Sequence, residues 1–236
     1  LAVAQMGPRK NIPNTVYWFI DEFHNEEVGL VLKVNTANCS SADFIRTETT
    51  LKTITDKYPD RKCKVYLIHG DMSLEQMNSL YTHEKIKSFV TFTHGEGFGL
   101  PLYEAACHAL PLVTVTWSGQ MDFICMTNKK GKRVPKVVRV DYDLNNVQPE
   151  AVWNGVIQAD SKWCFARGGS FKRALNECLT KNAHYKQQAE VLKNHIFKSF
   201  TQEQQNAKFI EYMKVWDDEE LNVEEWLSGF EVEEHE

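Results

Sequence analysis

Residues 89–115 read FVTFTHGEGFGLPLYEAACHALPLVTV, and this stretch decides the fold. Residues 89–93 are a short apolar, β-branched run bounded by turn residues, the pattern of a buried strand in a parallel sheet. Gly95, Gly97 and Gly99 alternate through the loop that follows, so a ligand can approach the backbone there without meeting a Cβ. Leu100-Pro101 opens a helix, because proline is favoured where its missing N–H would have no partner. The N–H groups of that first turn, Leu102 and Tyr103 among them, are expected to point over the loop, where their partial positive charge suits a phosphate. Pro111 ends the helix at the preceding residue, and residues 112–115 form the next strand. Glu96 in the loop and Glu104 at the end of the first helical turn are placed to face one pocket.

Around this stretch the chain alternates strands and helices. Strands are expected at residues 1–5, 29–34, 64–69 and 136–141, and helices at 13–24, 41–58, 73–83, 171–179, 182–200 and 201–215. In the third of these helices, Ser73 and Gln76 make a capping box. Such alternation implies an α/β, doubly wound parallel sheet, with ligands bound outside the carboxyl ends of the strands. Two basic residues, Arg9 and Lys10, fall in the loop leaving the first strand, either as an anion site or as a solvated turn. Lys33, in an otherwise apolar strand, needs an anionic partner; a bound phosphate and an internal carboxylate both qualify.

Composition narrows the function classes. A net charge of −5 gives no support to a nucleic-acid surface, and no segment approaches the roughly 20 apolar residues of a membrane span. The cysteines at 39, 63, 107, 125, 164 and 178 contain no C-x-x-C pair and read as reduced thiols, which fits a cytoplasmic protein. Asp141-Tyr142-Asp143 imitates a D-x-D metal signature but lies far in sequence from the glycine loop. No metal site is expected, and no His/Cys cluster has zinc spacing.

The segment Glu96-Gly97-Phe98-Gly99-Leu100-Pro101-Leu102-Tyr103-Glu104-Ala105 resembles the E-x7-E signature of retaining GT-B glycosyltransferases of the family-4 type. The resemblance extends over residues 1–212 as one donor-binding, Rossmann-like half of such an enzyme. It implies that Glu96, as the catalytic glutamate, holds hydroxyls of the donor sugar. The backbone of Gly97, Phe98, Gly99 and Leu100 then meets sugar and diphosphate, and Glu104 takes the ribose hydroxyls. Arg9 and Lys10 match the basic segment that neutralises the diphosphate, although the arginine usual five residues before the lysine is Gln5 here. That departure leaves Arg9 or Lys33 to supply the second positive charge. Thr116-Trp117-Ser118-Gly119 resembles the family's turn beside the donor, so Gly119 either adds a backbone donor to the phosphate site or is a plain connecting turn. Met72, Leu80 and Tyr81 border the nucleobase in this scheme, and Trp163 matches a W-x-x-P segment whose proline is absent.

The resemblance implies a nucleoside-diphosphate sugar as substrate, no cofactor, and an acceptor held by a separate or missing amino-terminal domain, so the chain is expected to be a piece of a longer enzyme, inactive alone. A non-catalytic sugar-nucleotide-binding module and a sugar-nucleotide epimerase of the same fold are the competing readings. The expected organisation is a nucleotide-sugar-binding domain over residues 1–215 and an acidic tail or docking helix over 216–236.

Overall fold

The computed structural model describes residues 1–214, so the acidic segment 216–236 lies outside the described residues. The strands are β1 (Ala2–Gln5), β2 (Gly29–Asn35), β3 (Lys64–Ile68), β4 (Phe89–Thr91), β5 (Leu112–Val115), β6 (Cys125–Thr127), β7 (Arg133–Pro135), β8 (Val138–Val140), β9 (Tyr142–Asn146) and β10 (Lys162–Ala166). The helices are α1 (Ile12–Phe23), α2 (Ser41–Thr55), α3 (Leu74–Thr82), α4 (Leu100–Cys107), α5 (Met121–Ile124), α6 (Gly168–Thr180), α7 (Asn182–Ser199) and α8 (Gln202–Lys214). Residues Leu1–His195 form one compact unit, and a second begins at Ile196. The unit that carries the glycine loop is the first.

Its sheet is parallel and built from two ladders, β3-β2-β1 and β4-β5-β8. Leu1 joins them. Its amino group donates to the Ser88 carbonyl at 2.9 Å and its own carbonyl accepts from Val90 N–H at 2.8 Å, the reciprocal pair by which one residue bridges a parallel neighbour. The full order is therefore β3-β2-β1-β4-β5-β8, a doubly wound arrangement whose strand order reverses between β1 and β4. In such a sheet the loops after β1 and β4 leave the carboxyl edge on either side of the reversal, and here the His94 N–H joins them by donating to the Arg9 carbonyl at 2.8 Å.

Burial explains the strand sequences. All four residues of β5 are buried, as are Phe89 and Val90 of β4, which is why these strands read as continuous apolar runs. On α1, Ile12, Val16, Phe19, Ile20 and Phe23 are buried at three- and four-residue spacing, the stripe of a helix lying on a sheet. α6 packs beside it, with Phe171 against Trp18 (5.4 Å between ring centres) and Phe92 (3.8 Å). α2 begins at Ser40, whose hydroxyl accepts the Asp43 N–H, and α3 carries the expected capping box of Ser73 and Gln76. Beyond the parallel core stand two antiparallel hairpins, β6-β7 and β9-β10. The second continues from β8 past the carboxyl edge of the sheet before α6 returns.

Candidate functional site

The loop after β1 is a single turn of 3-10 helix, Pro8–Lys10, closed by Asn11 in the left-handed region (φ 55°) with its N–H bonded to the Pro8 carbonyl. Asparagine tolerates that conformation. The Asn11 amide side chain donates to the Phe92 carbonyl, and its own carbonyl receives Thr15 N–H at the start of α1. The turn is thereby fixed to both α1 and the end of β4, and it projects Arg9 and Lys10 towards the glycine loop.

There they meet Glu96. Lys10 Nζ lies 2.5 Å from Glu96 Oε1, Arg9 Nη1 lies 3.0 Å from Oε2, and Arg9 also donates to the Gly95 carbonyl. The Glu96 side chain is only 11% exposed. Burial pushes its carboxyl up, but Lys10 and Arg9 outweigh burial and hold it below the usual carboxylate range. At neutral pH the site is thus one nearly buried carboxylate clamped by two cations, where the loops after β1 and β4 meet.

The backbone of the glycine loop is held from two sides. Ser118, itself left-handed (φ 72°), accepts the Glu96 N–H at 3.0 Å and donates back to the Glu96 carbonyl at 2.6 Å. Gly119 N–H reaches the same carbonyl at 3.0 Å. On the other side, His94 is buried and stacked on Trp163, with ring planes 10° apart and centres at 5.1 Å. Its Nδ1–H donates to the Cys164 carbonyl at 2.6 Å, its carbonyl accepts Cys164 N–H, and its own N–H reaches the Arg9 carbonyl. Burial, partly offset by the Cys164 carbonyl, keeps this imidazole's titration below its ordinary value, so it is a neutral clamp at physiological pH.

Between these supports, Gly97 is exposed with open space in front of it. Phe98 turns its ring into a cluster with Tyr103 (5.2 Å) and buried Phe123 (5.0 Å), which anchors the loop while its backbone stays at the surface. Gly99 takes φ 90° as the amino cap of α4, a conformation that disfavours any side chain. Leu100 is exposed as the first residue of the helix. Four residues on, exposed Glu104 accepts a hydrogen bond from Tyr81 Oη at 2.8 Å.

Two expectations are corrected, for Gly119 and Tyr103, and the place of Lys33 is fixed. The Gly119 N–H is spent on the Glu96 carbonyl, so this residue serves the loop by close packing instead of offering a donor to an anion: a Cβ there would lie 1.7 Å from the Gly97 oxygen. The Tyr103 N–H closes the first helical turn on the Gly99 carbonyl at 2.9 Å and is not directed over the loop. Lys33, half-buried near Cys39, lies on β2, separated from β4 by β1, so it is Arg9 and not Lys33 that joins Lys10 at Glu96. Asp141 and Asp143 pair with Arg173 and Arg167. His94 and the bond from Tyr81 to Glu104 are parts of the site that the sequence reading lacks, and Ser118, expected only as a member of the turn beside the donor, is the residue that holds the Glu96 backbone. The Ser-Gly dipeptide beside the loop was the available signal for Ser118, while His94 and Tyr81 depend on contacts with residues 70 and 23 positions away.

Neither a protein-family model nor a curated protein sequence matches the chain. Solved structures do. The carboxyl-terminal domain of a glycosyl transferase group 1 family protein (LpcC) from Francisella tularensis superposes with a TM-score of 0.53 at 13% identity, covering 85% of each chain. Sucrose-phosphate synthase from Thermosynechococcus elongatus gives 0.57 at 16% identity, over 92% of this chain and 46% of that one. The catalytic domain of starch synthase IV from Arabidopsis thaliana, bound to ADP and acarbose, gives 0.51 at 12%, over 92% and 37%. The chain has the Rossmann-like fold of the carboxyl-terminal half of GT-B glycosyltransferases. It spans most of the isolated domain but less than half of the two longer proteins. Among the described residues no helix is long and apolar enough to cross a membrane.

Proposed function

We propose that this GT-B-type domain binds a nucleoside-diphosphate sugar and is the donor half of a retaining glycosyltransferase of the family-4 type. The observation that carries the reading is the placement of Glu96 between Arg9 and Lys10 at the reversal of strand order, on an open glycine loop that leads into α4. Two cations and the start of a helix suit a diphosphate. A carboxylate beside them suits vicinal sugar hydroxyls, which donate to it in charge-assisted bonds. The starch synthase structure is named as bound to ADP, which is in keeping with a nucleotide ligand for a chain of this fold.

In this reading the diphosphate draws Arg9 and Lys10 from Glu96, and the freed carboxylate takes the sugar hydroxyls. The acceptor oxygen attacks C1 from the face that the diphosphate leaves: the new C1–O bond forms, the C1–O phosphate bond breaks, and a phosphate oxygen takes the acceptor proton. No base on the protein is then required. Arg9 and Lys10 stabilise the departing charge electrostatically without a metal, and the acceptor is held by a second, amino-terminal domain or partner.

Comparing a nucleoside diphosphate with its sugar conjugate, on wild type and on Glu96→Gln, tests the role of Glu96. Wild type is expected to gain affinity from the sugar, and the variant to lose that gain by about tenfold or more, the value of a hydrogen bond to a charged group. The diphosphate alone should bind the variant as well as wild type or better, because its cations are no longer neutralised. An unchanged sugar-dependent gain would overturn the assignment.

A further inference from the structure

Tyr81 sits in the last turn of α3 and is 2% exposed. Its ring lies 6.3 Å from that of Phe89 on β4 and stacks on His108 beyond α4, with centres at 5.6 Å and planes 16° apart. Three elements thus hold the ring in one orientation, and its hydroxyl is aimed at Glu104 Oε2, 2.8 Å away. Burial and Glu104 together push the phenol's titration well above its ordinary value, so the group is a permanent donor. Glu104 is otherwise an exposed side chain on a helix surface, where a glutamate samples many rotamers and loses rotamer entropy when fixed.

We infer that Tyr81 is a positioning residue for donor binding: its hydroxyl holds Oε2 of Glu104, which leaves Oε1 directed and free to accept the ribose hydroxyls of the nucleotide. This rests on the proposed role of Glu104 in the donor site. A buried phenol needs a hydrogen-bond partner in any case, and a purely structural pairing would leave nucleotide binding untouched when the hydroxyl is removed. The two accounts therefore separate experimentally.

The probes are ADP, GDP and UDP, each with its 2′,3′-dideoxy counterpart, titrated by calorimetry into wild type, Tyr81→Phe, Glu104→Ala and the double variant. Phenylalanine keeps the ring packing, and a thermal melt checks that the fold is retained. For the nucleotide that binds, Tyr81→Phe should weaken the ribose form by about 3- to 10-fold, the value of one preorganised hydrogen bond, and leave the dideoxy form unchanged. The double variant should bind no worse than Glu104→Ala, because Tyr81 acts only through that carboxylate. Wild-type affinity in Tyr81→Phe, or an equal loss for both nucleotide forms, would overturn the inference while leaving the donor reading in place. If Glu104→Ala binds the ribose form like wild type, the role of Glu104 fails and takes this inference with it. Failure of all three nucleotides to bind wild type would overturn the donor reading itself, and with it this inference.

Discussion

A methyl group at position 119 would sit 1.7 Å from the Gly97 oxygen and 2.9 Å from that of Glu96, so glycine there is a condition of the loop's shape. Alanine must push the loop away from Ser118, which costs about 1–3 kcal/mol of stability as in other overpacked sites and displaces the Glu96 carboxylate. Position 97 is the contrast, because a Cβ there meets nothing within 4 Å in the free chain. We expect Gly119→Ala to lower both the melting temperature and the affinity for a nucleotide sugar. Gly97→Ala should melt like wild type yet bind about tenfold or more weaker, since its methyl group would stand where the ligand approaches. A Gly97→Ala variant with full affinity would place the ligand elsewhere. That Arg9, Lys10 and Glu96 lie close together was legible in the sequence, because all three fall in loops leaving the carboxyl ends of strands. The task of Gly119 was not, because it comes from backbone packing between segments 22 residues apart.

At the scale of elements, the glycine loop is held by β10 through His94, and this coupling has a pH signature. The folded-state pKa of His94 lies below its unfolded value of about 6.5, so as pH falls below 6.5 the unfolded chain binds more protons than the folded one. Stability contributed by the neutral imidazole is therefore complete above pH 6.5 and is lost as pH falls through the lower, folded value. His108, also held down by burial and by Lys193, acts in the same window, so the informative quantity is a difference. Urea midpoints measured from pH 7.5 to 5 should fall less steeply for His94→Gln than for wild type; identical slopes would mean that His94 is not protonated on unfolding. The elements of the parallel sheet were legible from apolar runs and helical periodicity, with ends shifted by a few residues: α2 stops at Thr55 because residues 56–58 turn away. The hairpins were not. β9 reads Tyr-Asp-Leu-Asn-Asn, in which asparagine and aspartate argue against a strand. Its pairing with β10 is made by a ladder across a 15-residue connection.

For the molecule as a whole, the parallel sheet brings every loop named above to one edge. The same edge carries exposed Leu74 and Leu100 at the starts of α3 and α4. The order of the six parallel strands reverses between β1 and β4, which is where Arg9, Lys10 and Glu96 converge. The central claim is that this convergence of loops holds a nucleoside-diphosphate sugar by side-chain cations and a glutamate. The most direct measurement is calorimetric titration of a panel of nucleotide sugars into the purified chain, with and without EDTA, followed by assay of the same mixture for transfer to added acceptors. The account predicts saturable one-to-one binding of at least one nucleotide sugar, unchanged by the chelator, and no transfer without the acceptor half. Absence of binding across the panel, or binding abolished by EDTA, would contradict it.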